Sequence, residues 1–111
     1  MANSPEFIEH LRDLLAPLGA VVFRPMFGGT GIFQDGIMFA LVARDRFYLR
    51  VDDQTRCDFV AEGMEGFGRM PYFEVPPDAM EEPDALEPWA EGAVAASRRA
   101  ARKKKGKSGA K

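Results

Sequence analysis

Between residues 24 and 52 apolar and polar positions alternate in short runs separated by turn residues, the pattern of successive β-strands. Gly28 and Gly29 open one run, and Asp35-Gly36 sits between two others, the strongest short-range hairpin signal in a sequence. Residues 37–43 are nearly all apolar, which predicts a central strand buried on both faces. Arg44, Asp45 and Arg46 form the next turn. Phe47, Leu49 and Val51 then alternate with Tyr48, Arg50 and Asp52, a strand with one dry and one wet side. Residues 20–24 are β-prone, and Pro25, which cannot donate to a ladder, suits a strand end or an edge. Tyr72, Phe73, Glu74 and Val75 form a further strand, closed by Pro76 and Pro77. A meander of this kind has a face to bury, so the flanking segments are expected to cover it.

The flanks read as helices. Ser4 and Pro5 supply an N-cap and a first-turn proline, and Phe7, Ile8, Leu11, Leu14, Leu15 and Leu18 make one apolar stripe. Residues 52–55 start a second, short helix with Cys57, Phe59, Val60 and Met64 as its apolar face, where Cys57 is expected to be a small buried group. Pro83 and Asp84 begin the last helix, from residue 85 to about 102, with Leu86, Trp89, Ala90, Ala93 and Val94 inward and Trp89 on the sheet. No large apolar residue follows Ser97, so the helix is expected to leave the body there and fray. The fold class is therefore α+β in two layers: an antiparallel sheet of about five strands with an N-terminal helix, a short middle helix and a C-terminal helix. Residues 1–97 form the domain and 98–111 a basic tail.

A chain of 111 residues supports one domain of this size. One cysteine excludes an internal disulfide and a cysteine-built zinc site. The first twenty residues show no signal-peptide pattern, and no apolar run is long enough to cross a membrane, so a cytoplasmic protein is expected. The net charge of −2 hides an asymmetry, because no acid follows Arg98. Arg98, Arg99, Arg102, Lys103, Lys104, Lys105 and Lys107, with Lys111, form the basic end of an otherwise acidic chain. Such an end is either a solvated terminus held near its own acidic body or a nucleic-acid contact, although it has no aromatic residue to stack on bases.

Catalytic signatures are thin. His10 and Cys57 are the only residues of their kinds and fall in different helices; His10 lies off the apolar stripe and reads as a surface residue. Paired acids fall at turns and helix starts, where capping accounts for them. Gly28, Gly29 and Gly31 fit no phosphate-loop spacing and run into a strand, so a bulge or a close backbone crossing explains them better. Arg24, Arg44, Arg46 and Arg50 come from one sheet region, where they either pair with the acidic surface or make an anion or partner contact. Arg24, Gly28, Gly29 and Arg50 are the candidates for that contact. No catalytic, cofactor or metal residues are assigned.

The motifs RPMFGG, GIFQDGIMFAL, YLRVD running into DQTR, and YFEVP together resemble the N-terminal domain of the TfoX/Sxy family, over roughly residues 5–98. The resemblance implies an α+β domain in a secretion-chaperone-like arrangement. It also implies a link to bacterial natural-competence genes through transcriptional co-regulation, without catalytic residues. Only residues 67–71 occupy the place of a longer basic hairpin in the family, so an edge strand or loop is expected to be trimmed. A basic tail stands where competence regulators carry a second domain, which implies a stand-alone relative. The expected function is a non-enzymatic interaction module acting by protein contacts, with a homodimer through sheet edges or faces as one form. The alternatives are a nucleic-acid-associated regulator using the tail, and a small-ligand domain or unrecognised enzyme around Arg24, Gly28, Gly29 and Arg50.

Overall fold

In the computed structural model, residues 3–26 and 28–109 are described, with side chains through Lys103. Five strands, β1 (Val22–Met26), β2 (Gly29–Gln34), β3 (Ile37–Ala43), β4 (Arg46–Arg50) and β5 (Tyr72–Glu74), make one antiparallel meander in that order. The α+β architecture expected from the sequence is the one observed. Three helices, α1 (Pro5–Leu14), α2 (Arg56–Ala61) and α3 (Pro83–Gly109), accompany it. Pro25 lies in β1, an edge strand of the sheet, where proline is tolerated because one row of backbone N–H groups has no neighbouring strand.

The β2–β3 and β3–β4 turns are tight, and they are held differently. Asp35 and Gly36 have φ of 54° and 80°, a left-handed pair that Asp-Gly adopts readily. Arg44 and Asp45 adopt φ of 53° and 59° with no glycine, a conformation costing about 1–2 kcal/mol per residue. The chain's start holds this second turn in place. Asn3 Oδ1 accepts the Asp45 N–H at 2.9 Å, the Ser4 N–H donates to Asp45 Oδ1 at 2.7 Å, and Asn3 Nδ2 donates to the Val42 carbonyl at 3.1 Å.

β3 is the middle strand, and Phe39, Ala40 and Val42 are fully buried on it. Between β2 and β3 the register moves from Ile32 opposite Ala40 to Phe33 opposite Met38, leaving Phe39 as the extra residue of a bulge. The bulge turns Phe39 into the core beside Ala40. The glycines of β2 answer the close crossing instead: a Cβ on Gly29 would stand 2.5 Å from the Val42 carbonyl oxygen.

The helices cover one face of the sheet. Ser4 caps α1 by accepting the Phe7 N–H, and Leu11, Leu14 and Leu15 drive into the core. α3 lies on β3 and β4, with Leu86, Ala90, Ala93 and Ala96 buried; the alanines allow a close approach. Trp89 meets Phe59 of α2 edge-on, with ring centres 4.9 Å apart, so its large ring joins the two helices. α2 is only one and a half turns long and turns Phe59 inward. Cys57, two positions earlier on the opposite side, is exposed, which corrects the expectation of a buried thiol.

The last helix differs most from expectation. It runs to Gly109 rather than ending near Arg102, and it does not leave the body after Ser97. Arg98 Nη2 donates to Asp35 Oδ2 at 2.7 Å and to Gln34 Oε1 at 3.1 Å, fastening α3 to the β2–β3 turn. Arg99 fastens the same turn of helix to Asp52. The charged ends of two arginines replace the apolar anchors whose absence predicted departure.

Candidate interaction surface

Register and alternation sort the strand residues onto two faces. Phe23, Ile32, Ala40, Leu49 and Phe73 form one row across all five strands, under the helices. Arg24, Gly31, Leu41, Tyr48 and Glu74 form the adjacent row, which faces away from them. This second face carries guanidinium groups, aromatic rings and methionines. Arg24 lies over the Phe33 ring at 5.6 Å and Arg50 over the Tyr72 ring at 5.7 Å. Gly31 leaves the room that Met26 and Met38 fill, their atoms 3.0–3.1 Å from where its Cβ would be.

At one end of this face lies a groove of about 840 Å³, lined by Gly28, Arg44, Arg46, Tyr48, Phe67 and Gly68. Tyr48 and Phe67 meet edge to face, 4.9 Å between centres, and form its apolar wall. Burial, with the Glu74 carboxylate beside it, pushes the Tyr48 hydroxyl above its ordinary range. Arg46 pairs with Glu74 at 3.3 Å, while Arg44 projects from the turn that Asn3 and Ser4 hold.

At the other end, beyond β4, a concavity of about 380 Å³ is lined by Arg50, Asp52, Asp53, Arg56, Arg99 and Lys103. Arg99 holds Asp52 through Nε at 2.6 Å and Nη2 at 3.1 Å. The Gln54 N–H also donates to Asp52, at 3.0 Å. The guanidinium hydrogen bonds lower the Asp52 carboxyl to about 2.

The four residues singled out as an anion or partner contact therefore do not converge. Gly28 lines the groove; Gly29 sits beside it, kept small by the Val42 carbonyl; Arg24 is exposed on the edge strand; Arg50 lies at the opposite end. Of the basic tail, Arg98 and Arg99 are engaged by the body, whereas Arg102 and Lys103 are exposed. The side chains of Lys104, Lys105 and Lys107 lie outside the described residues, as does Lys111. Tyr48 and Phe67 were not among the candidates, and Arg44 and Arg46 were named with the other sheet arginines but not singled out. The alternation of Arg46, Tyr48 and Arg50 on the wet side of β4 was the signal for two of them; Phe67, in a loop with no periodicity, offered none.

Among the described residues no cluster of histidine, cysteine, aspartate and glutamate could hold a metal ion, and no helix is long and apolar enough to cross a membrane. A comparison with curated proteins gives no match. The TfoX N-terminal domain family matches residues 13–97, a span that takes in every strand and α2, together with the whole buried row of α3. With that match covering most of its length, the chain belongs to the TfoX N-terminal domain family.

Proposed function

We propose that this chain is a non-enzymatic interaction module, a transcriptional co-regulator related to the competence regulators, and that it acts by protein contacts through the open face of its sheet. The observation that carries the reading is the set of arginines on the sheet, where the strand carboxylate Glu74 is already paired with Arg46. Every basic residue before Lys103 is an arginine, and Arg24, Arg44, Arg46 and Arg50 belong to the sheet. The helices carry both signs: Glu6, Glu9 and Asp13 stand on α1 with Arg12, and Asp84, Glu87 and Glu91 on α3 ahead of Arg98, Arg99 and Arg102. Arginine, methionine and tyrosine are the residues enriched where proteins meet, and lysine is depleted there. The occupant that matches the groove is an acidic protein segment with an apolar side chain for the Tyr48–Phe67 wall.

A photo-crosslinking residue placed at Tyr48, with Val60 on α2 as control, tests this in cells. The expected result is a protein adduct at Tyr48 that Arg44→Glu together with Arg46→Glu abolishes. No adduct, adducts to nucleic acid alone, or adducts indifferent to the charge reversal would overturn it. A crosslink to a second copy would replace the acidic partner with a homodimer.

A further inference from the structure

The corner where β4, the 52–55 turn and α3 meet collects more positive charge than its ion pairs use. Asp52 is saturated by Arg99, the Gln54 N–H and, at 3.4 Å, the Thr55 hydroxyl. Its negative charge is matched within its own pair. Arg50, Arg56 and Lys103 are left around the same concavity with one other carboxylate, that of Asp53. Among the described residues none of these three cations is in a salt bridge, and Arg50 Nε is buried with no hydrogen-bond acceptor. In a chain with an acidic body, three cations converge from β4, α2 and α3 on one hollow. Asp53 offsets one of these charges, which leaves the hollow with a net positive charge that an anion would match.

We propose that this corner binds a phosphoryl group, with Arg50, Arg56 and Lys103 as its ligands and the Arg99–Asp52 pair as a fixed wall. Guanidinium groups present paired N–H donors that match phosphate oxygens, and a lysine ammonium adds a compact charge. A hollow of about 380 Å³ also accommodates what a phosphoryl group is attached to, either a small molecule or the end of a nucleotide chain. Because the ligands come from three elements, the anion ties α3 to the sheet. The site is separate from the groove at Tyr48 and stands or falls independently of the protein-contact reading.

The test is a titration of the whole chain with inorganic phosphate at low ionic strength, following the arginine Nε–H signals by NMR, with chloride as the control. Saturable shifts at Arg50 and Arg56 are expected. Arg50→Gln is expected to weaken binding about tenfold or more, the loss typical of a charged hydrogen bond, whereas Arg44→Gln in the other groove leaves it unchanged. Lys103→Gln, at an exposed position, weakens binding in the same way and repeats the test should Arg50→Gln disturb the fold. Parallel titrations with adenosine 5′-monophosphate and a 5′-phosphorylated oligothymidine identify the source of the group by which binds more tightly. Shifts that do not saturate with any of the three, equal losses in Arg50→Gln and Arg44→Gln, or oligonucleotide binding that ignores Arg50→Gln would overturn the proposal.

Discussion

Ile32, Ala40 and Leu49 sit side by side at the centre of one row of the sheet, and Gly31, Leu41 and Tyr48 at the centre of the next. The rows are one residue apart along every strand and share the same ladder of hydrogen bonds. The first is closed by three helices and admits no water at Ile32, Ala40 or Leu49. The second ends in Arg24 and Glu74 and carries Tyr48 in partial contact with solvent. The difference teaches that stability and recognition are divided between faces. The covered face supplies most of the hydrophobic free energy; Leu41 and Tyr72 are buried on the other face too, but its margins are free to hold arginines that no core would accept.

The largest test of that division sets Phe39→Ala against Tyr48→Ala. Phe39 is fully buried at the bulge, and its truncation is expected to cost about 3–5 kcal/mol. Tyr48→Ala is expected to cost about 1–2 kcal/mol, since it removes a half-buried ring and its edge-on contact with Phe67. Urea unfolding of the two variants reads the contrast, and equal losses would mean that the open face is structural after all. A smaller contrast lies within β2. Gly29→Ala forces a methyl against the Val42 carbonyl oxygen at 2.5 Å, whereas Gly31→Ala meets only methionine side chains at 3.0–3.1 Å, which can turn aside. Gly29→Ala is expected to lose about 2 kcal/mol and Gly31→Ala distinctly less, by the same measurement.

The smallest effect concerns the clasp between α3 and the sheet end. In the folded chain Asp52 has a carboxyl lowered to about 2 from 3.8, so the unfolded chain takes up that proton more readily. The Arg99–Asp52 pair therefore contributes its stabilisation above pH 4 and loses it as pH falls from 4 towards 2. Both groups keep contact with solvent, so screening leaves the pair a small share of the stability. Unfolding midpoints at pH 6 and pH 2.5 check this: Asp52→Asn is expected to lack that share of the acid sensitivity. An unchanged acid profile would show that the clasp does not hold the helix.

Much of this architecture was legible from local pattern. The Asp35-Gly36 turn, the apolar run of β3 and the alternation of β4 are signals carried within a few residues, and they marked the meander and its central strand. The Arg44-Asp45 turn was legible as a turn, but its left-handed backbone depends on Asn3 and Ser4, some forty positions away. Cys57 was misread because an apolar count along a short helix does not say which side meets the core. The candidate site was legible in its residue types and not in its grouping. Arg24 and Arg50 both look like wet-face arginines on separate strands, and only strand register shows that those strands stand apart, one at the sheet's edge and one past its centre.

From the order of its residues alone, then, this chain is committed to an antiparallel meander with amphipathic helices, since periodicity and turn chemistry act over short stretches. Which face stays open, which arginines share a hollow, and whether the basic helix departs are questions of contact between distant segments. Arg98 meets Asp35, and Arg99 meets Asp52, only because folding brings their elements together. A charged side chain gains from a partner at hydrogen-bond distance, and that distance is a property of the assembled fold.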